Sequence, residues 1–138
     1  SYGYHLLSQQ TEPAPAPVTQ KFALANNAQL LHVVALHEAD GNPFVIEDRW
    51  INSSIMPHLA DVSFTELSAN EWLLQNTPFT HGDIDFGAKN ASQREAELLA
   101  TKPDKALFVI SRTTWDQTTA VTMVELVFHA GHRKHTRL

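Results

Sequence analysis

The sequence predicts an α+β domain in which helices flank a mostly antiparallel sheet of six strands. Two pairs of apolar, β-branched segments are each separated by a few turn-forming residues, Asp40-Gly41 in the first pair, a pattern typical of β-hairpins. Shorter segments with apolar residues at helical spacing lie between them. The predicted order is β-α-β-β-α-β-α-β-β, and we expect the helices to cover one face of the sheet.

Each predicted element follows from a local pattern. The strands are apolar or alternating runs bounded by turn residues, predicted over 2–9, 28–39, 43–52, 81–90, 105–115 and 120–129. The proline-rich TEPAPAPV predicts an extended spacer before a short helix over 18–26. The segment 55–77 predicts helix in two pieces. Ser68 and Glu71 have capping-box spacing before its second piece, 69–76, and Ser92 caps a helix that ends near residue 101.

Composition excludes several classes of protein. The 138 residues suit a single domain, and 43% hydrophobic residues allow a sizeable core. A net charge of −5 argues against direct binding of nucleic acid or an anionic membrane. The absence of cysteine excludes disulfides and thiolate zinc sites. The absence of cysteine is compatible with a reducing cytoplasm, where we expect the protein. No apolar run is long enough to span a bilayer. The chain starts with Ser1 rather than Met, directly before a predicted strand, and we expect a fragment of a longer protein.

The second predicted hairpin has one polar and one apolar face. If Gln117 and Thr118 form a two-residue loop, Arg112 lies opposite Met123 and Ile110 lies opposite Glu125. Arg112, Glu125 and His129 then share a face. The opposite face is almost purely apolar and is expected to lie under helices; it carries Leu107, Val109, Trp115, Val124, Leu126 and Phe128.

The strand VIEDRWIN places an acid and a base on one face of an otherwise apolar segment. Glu47 and Arg49 point the same way because strand side chains alternate. A two-residue loop puts His32 opposite Arg49, whereas an odd-length loop pairs residue 35 with Glu47 and His37 with residue 45. The pattern fits a cross-strand ion pair on a half-exposed face or the lining of a ligand pocket.

Motifs for metal, nucleotide or hydrolytic chemistry are absent. Three histidines recur near the C-terminus, at His129, His132 and His135, but no carboxylate motif of the HExxH kind accompanies them. The sequence contains no GxSxG, no P-loop and no GxGxxG. We therefore expect no metal, no cofactor and no catalytic residues.

Several segments in the same order resemble the effector-binding (UTRA) domain of GntR-type transcription regulators. These are LHEADGNPFVIEDRWIN, MPHLADVSF, SANEWLL, LFVISRTTW and ELVFHAGHRKH, and the similarity is greatest to the HutC branch, the histidine-utilisation repressors. The resemblance implies a chorismate lyase-like fold, a homodimer, and a preceding winged helix-turn-helix domain, absent from this chain, that binds operator DNA. It also implies a small effector, urocanate in this branch, acting as inducer.

The resemblance also assigns candidate pocket residues and favours the odd-length loop. The family positions match His37, Glu47, Ser68, Asn70, Met123 and His129. Relatives that bind sugar phosphates carry arginine where Ala35 and His37 stand, and glutamate where Met123 stands. The loss of two arginines favours a smaller monoanion over a phosphate.

The chemistry of urocanate adds further candidates. Its carboxylate suits a guanidinium fork from Arg49 or Arg112, a choice that the sequence leaves open, or the helix start at 68–70. Glu47 or Glu125 can accept from the imidazole N–H. Flat surfaces for the conjugated plane are available from His37, Trp72 and His129. Three alternatives remain: a regulator sensing another anion such as a sugar phosphate, a chorismate lyase-like enzyme, and a dimerisation module without ligand.

Overall fold

The computed structural model describes residues 1–138. Six strands and three α-helices alternate along the chain, with two short 3-10 helices after the third strand. The strands are β1 (Tyr2–Pro13), β2 (Gln29–Ala39), β3 (Asn42–Ile51), β4 (His81–Asn90), β5 (Ala106–Asp116) and β6 (Thr119–Phe128). The helices are α1 (Ala16–Lys21), α2 (Ala69–Asn76) and α3 (Gln93–Leu98), and the 3-10 segments are Ser53–Ile55 and Pro57–Asp61.

The six strands form one antiparallel sheet in the order β1-β2-β3-β6-β5-β4. The predicted α+β class and element order are confirmed. Two predictions differ in detail. β1 runs to Pro13, into the predicted spacer, because its residues pair with β2 as far as Gln29. The first piece of the predicted helix at 55–77 is 3-10 rather than α-helical. No helix combines the length and apolar character that a membrane span requires.

The β2–β3 hairpin combines a tight turn with a bulge. Asp40 and Gly41 form a two-residue turn in which both φ angles are positive, 52° and 81°, as a type I′ turn requires. Phe44 is then an extra residue in β3, since His37 pairs with Val45 but Glu38 pairs with Pro43. The bulge confirms the odd register, and His32 lies opposite Trp50 rather than Arg49.

The β5–β6 hairpin also contains a bulge, and here the predicted register is wrong. Asp116 pairs with Thr119 as expected, but Val121 is an extra residue between the pairs that Ala120 and Thr122 form with β5. Arg112 therefore lies opposite Val124 rather than Met123, and Ile110 lies opposite Leu126. A one-residue slip moves every later β6 side chain to the other face.

Helices pack on both faces of the sheet, so the prediction that they cover one face is wrong. The first face, called the α2 face, packs against α2 and the 3-10 segments. Its cluster comprises Leu31, Val33, Ile51, Leu59, Phe64, Ala69, Leu73 and Val121. The second, called the α1/α3 face, packs against α1 and α3 through two clusters. Its sheet residues include Leu30, Val34, Ile46, Leu107, Val109 and Val127. Burial of each large apolar side chain stabilises the fold by about 1.5–3 kcal/mol.

Candidate functional site

A cavity of about 500 Å³ lies between α2 and its sheet face. Six of the residues predicted to bind a ligand line it: His37, Glu47, Arg49, Ser68, Asn70 and Arg112. A second cavity of about 320 Å³ adjoins it and shares three of these residues, Arg49, Asn70 and Arg112. The structure thus brings together most of the predicted candidates, in two compartments with a common boundary.

Glu47 and Arg49 form a buried ion pair at the floor of the larger cavity. The Nε atom of Arg49 donates to Oε2 of Glu47 at 2.7 Å, and each residue is only 2% exposed. A second guanidinium nitrogen, Nη1, donates to the Thr122 hydroxyl at 3.1 Å. Burial alone raises the pKa of Glu47, but the hydrogen bond from His37 and the charge of Arg49 outweigh it and lower that pKa to about 2. The ionised Glu47 carboxylate therefore neutralises the charge of Arg49.

His37 holds the other oxygen of the same carboxylate. Its Nε2 lies 2.7 Å from Oε1 of Glu47, and its Nδ1 is hydrogen-bonded to the Tyr2 hydroxyl. Because an ionised carboxylate can only accept, Nε2 carries the proton. A chain of hydrogen bonds therefore runs from Tyr2 through His37 and Glu47 to Arg49, crossing β1, β2 and β3.

Arg112 is the cation without a carboxylate partner. It is half-buried on β5, and its Nη2 donates to the side-chain oxygen of Asn70 at 3.2 Å. No carboxylate of the protein lies within 4 Å of its guanidinium nitrogens. Burial, and then the nearby charge of Arg49, lower the pKa of Arg112. A charged donor fork that contacts both cavities is thus available to an anion.

The start of α2 forms one wall of the larger cavity. The Ser68 hydroxyl accepts from the backbone N–H of Glu71 at 3.2 Å, which caps the helix as predicted. Ser68 is 4% exposed, and Asn70 follows in the first helical turn. The cap fixes the position of Asn70, and with it the amide that contacts Arg112.

Four predicted site residues lie elsewhere. Met123 and Glu125 point to the α1/α3 face, because the Val121 bulge reverses the orientation of β6 relative to the expected register. Trp72 packs edge-on against Phe64, with ring centroids 6.1 Å apart, and lines neither cavity. His129 follows the end of β6, where its ring lies beside Phe44 and His132. Their proposed contacts with a ligand in these cavities therefore lack a structural basis.

Several lining residues were not predicted from the sequence. The Tyr2 hydroxyl contacts His37. The one sequence signal for this contact is that Tyr2 and Tyr4, two residues apart on β1, lie on the same face of the strand. Thr122 contacts Arg49, but the unrecognised bulge hid its orientation. The second cavity is lined by apolar and hydroxyl-bearing side chains that no motif marks, among them Leu73, Phe79, Thr114 and Val121.

Comparison with known proteins agrees with this architecture. The family model of the UTRA domain matches residues 1–133. The chain belongs to the UTRA domain family. Over 105 residues, or 76% of its length, this UTRA domain is 31% identical to the histidine utilization repressor of Pseudomonas putida. Over 106 residues it is 26% identical to the histidine utilization repressor of Klebsiella aerogenes.

Solved structures show the same fold. The C-terminal domain of the histidine utilization repressor from Pseudomonas syringae superposes with a TM-score of 0.90 at 25% identity, covering 100% of this UTRA domain and 99% of that chain. The effector domain of PhnF from Mycobacterium smegmatis shares the fold with a TM-score of 0.86 at 19% identity, over 99% of this chain and 85% of that one. This UTRA domain spans only 42% of the length of the P. putida repressor.

Proposed function

We propose that this UTRA domain is the ligand-sensing domain of a HutC-type transcriptional repressor of histidine utilization genes, with urocanate as inducer. In this proposal the domain works as a homodimer in the cytoplasm and acts on operator DNA through a separate N-terminal domain. The observation that carries the proposal is Arg112, a half-buried cation with only an amide partner between two cavities. The relatives named as histidine utilization repressors support the regulatory role.

The ligand carboxylate is assigned to Arg112 rather than Arg49. Glu47 already neutralises Arg49, and binding an anion there would break a buried pair. Arg112 can accept the anion without such a loss and gains a counter-charge in a partly desolvated site. Asn70 can redirect its side-chain NH₂ to the same carboxylate.

The second cavity suits the ring of the ligand. Its walls combine the apolar side chains of Leu73 and Val121 with the hydroxyl groups of Thr114 and Thr122. A neutral, planar imidazole needs apolar walls and an acceptor for its N–H. Both Glu47 oxygens and the Thr122 hydroxyl already have partners, so the Thr114 hydroxyl is the better acceptor for the ring N–H.

Binding must be coupled to the response of the whole regulator. An inducer that prefers one of two arrangements by about 1–3 kcal/mol changes their ratio 5- to 150-fold. The contact between Asn70 and Arg112 joins α2 to the sheet, so a ligand that replaces it shifts α2 relative to β5. This shift is the proposed first step of the response.

The test is calorimetric titration of the 138-residue chain with urocanate, using histidine and glucosamine-6-phosphate as controls. We expect saturable binding of urocanate that weakens at least about 10-fold in Arg112→Gln. The matched control is Arg94→Gln, since Arg94 is exposed on α3. Binding of the sugar phosphate alone would contradict the assignment to histidine utilization. Turnover of a ligand would favour the enzyme alternative.

A further inference from the structure

The larger cavity beside α2 is lined by two charged groups of opposite sign that have no ionic partner. Arg112 is a cation without a carboxylate within 4 Å, and Glu71 is a carboxylate without a cation within that distance. The one side-chain hydrogen bond of Glu71 joins its Oε1 to the Ser68 hydroxyl at 3.3 Å. The two charges therefore do not neutralise each other, and both remain available to a ligand.

The Tyr2 hydroxyl, at the wall of the same cavity, can only accept further hydrogen bonds. Nε2 of His37 carries the ring proton because it donates to Glu47, so Nδ1 of the neutral ring is an acceptor. The hydrogen bond between Nδ1 and the Tyr2 hydroxyl then uses the single proton of that hydroxyl. The Tyr2 oxygen keeps free lone pairs, and they need a donor.

Glu71 and the Tyr2 oxygen lie close together and form an acceptor-rich end of the cavity. Burial, and then the charges of Glu47 and Glu71, raise the pKa of Tyr2, so Glu71 acts on this hydroxyl at short range. Glu47 is already neutralised by Arg49, which leaves Glu71 as the carboxylate for a cation. An ammonium group has three donors and no acceptor, and it therefore fits this end.

The rest of the cavity has the complementary character. The Arg112 guanidinium has donors only, and a carboxylate is the group that matches its fork. Apolar side chains of Phe44, Val45 and Leu126 form much of the remaining wall. A ligand that satisfies the whole cavity thus carries an ammonium, a carboxylate and an apolar side chain.

We propose that the larger cavity binds a zwitterionic amino acid with an apolar side chain, its carboxylate on Arg112 and its ammonium on Glu71 and the Tyr2 oxygen. A zwitterion compensates both charges at once, whereas a monoanion leaves Glu71 without a partner. The site shares Arg112 with the proposed urocanate site, so the two ligands exclude each other. Binding of the amino acid itself does not depend on the identity of the inducer.

Calorimetric titration with L-phenylalanine and 3-phenylpropionate tests the ammonium contact, since the second compound lacks only the ammonium. We expect saturable binding of L-phenylalanine, at least about 10-fold tighter than that of 3-phenylpropionate. Glu71→Gln should remove most of this difference and keep the helix start, because a capping box accepts glutamine as well as glutamate. Glu66→Gln is the matched control, since Glu66 is exposed. No saturable binding of L-phenylalanine, or equal losses for both compounds in Glu71→Gln, would overturn the proposal.

Tyr2→Phe tests the acceptor oxygen separately. The variant keeps the ring that stacks on His37, with centroids 5.6 Å apart, and removes only the hydroxyl. We expect the preference for L-phenylalanine over 3-phenylpropionate to fall at least about 3-fold. An unchanged preference would overturn the assignment of the ammonium to this end of the cavity.

Competition tests the shared arginine. L-phenylalanine at ten times its Kd should weaken the apparent affinity for urocanate about 10-fold, because both carboxylates require Arg112. Undiminished urocanate affinity under these conditions would overturn the shared site. Binding of urocanate without binding of L-phenylalanine would overturn this proposal alone, whereas the reverse would contradict only the choice of inducer.

Discussion

Arg49 and Glu47, two residues apart on β3, form an ion pair that is almost completely removed from water, with Nε 2.7 Å from Oε2. A buried charge is tolerated only when its hydrogen-bonding capacity is met, and here His37 and Thr122 complete the network. The pair explains why an acid and a base stand on an otherwise apolar strand. It also leaves Arg112 as the cation available to a ligand.

Replacing Glu47 by glutamine should strongly destabilise the domain. The variant leaves the Arg49 charge buried without compensation, and breaking a buried pair in this way costs about 3–5 kcal/mol. Urea denaturation would measure the free energy of unfolding. Glu66→Gln is the control, since Glu66 is exposed and forms no ion pair. A loss below about 1 kcal/mol would mean that water reaches the guanidinium.

The same pair predicts acid sensitivity. The pKa of Glu47 is lowered from 4.5 to about 2, so its contribution to stability is present above pH 4.5 and is lost as the pH falls towards 2. The free energy of unfolding, measured by urea titration at successive pH values, should decrease across this window. The decrease should be smaller in Glu47→Gln, which has no carboxyl group at this position. Parallel curves for the two proteins would contradict this.

His32, on the α1/α3 face, should stay protonated to a higher pH than an ordinary histidine because its pKa is raised. Its Nδ1 and Nε2 lie 2.6 Å from carboxylate oxygens of Glu12 and Asp48, so both nitrogens donate. Burial lowers its pKa, but the hydrogen bonds to Asp48 and Glu12 outweigh burial and raise it above 6.5. The stabilisation is therefore complete at acid pH and is lost as pH rises through the raised pKa. An NMR titration should show a lower midpoint in Asp48→Asn.

The turn glycine Gly41 should resist substitution. Its φ is +81°, and a Cβ added there would meet no atom within 4 Å, so Gly41→Ala introduces backbone strain without a clash. We expect a loss of about 1 kcal/mol in thermal or urea unfolding. Gly87→Ala is the control, because Gly87 has equally open space and no positive φ. Equal stability of the two variants would show that the turn relaxes.

Asn70→Asp should strongly weaken anion binding without unfolding the domain. In the parent chain, Nη2 of Arg112 lies 3.2 Å from the side-chain oxygen of Asn70. The substitution places a carboxylate at this position, which neutralises the charge of the Arg112 guanidinium. An acidic residue in the first turn of α2 is compatible with the helix dipole. We expect urocanate affinity to fall more than about 10-fold by calorimetry, and further than in Asn70→Ala. Unchanged affinity would remove Arg112 from the site.

Local chemistry in the sequence was sufficient for the elements of this fold. Alternating apolar residues predicted the strands, Asp40-Gly41 predicted a tight turn, and Ser68 and Ser92 predicted two helix starts. The segment at 18–26 forms a helix that begins two residues earlier and ends at Lys21. Patterns of this kind depend only on residues that are close in the sequence, so each segment predicts its own secondary structure.

The faces of the sheet, and hence the site, were decided only by tertiary structure. A bulge adds one residue without a strong sequence signal, and the two bulges at Phe44 and Val121 determine which side chains share a face. The first placed Glu47 beside His37, as the family resemblance had implied, while the second moved Met123 and Glu125 to the other face. Whether Arg49 or Arg112 lacks a carboxylate partner depends on contacts between β3, β5, β6 and α2. These elements are far apart in the sequence, so no local pattern predicts their contacts.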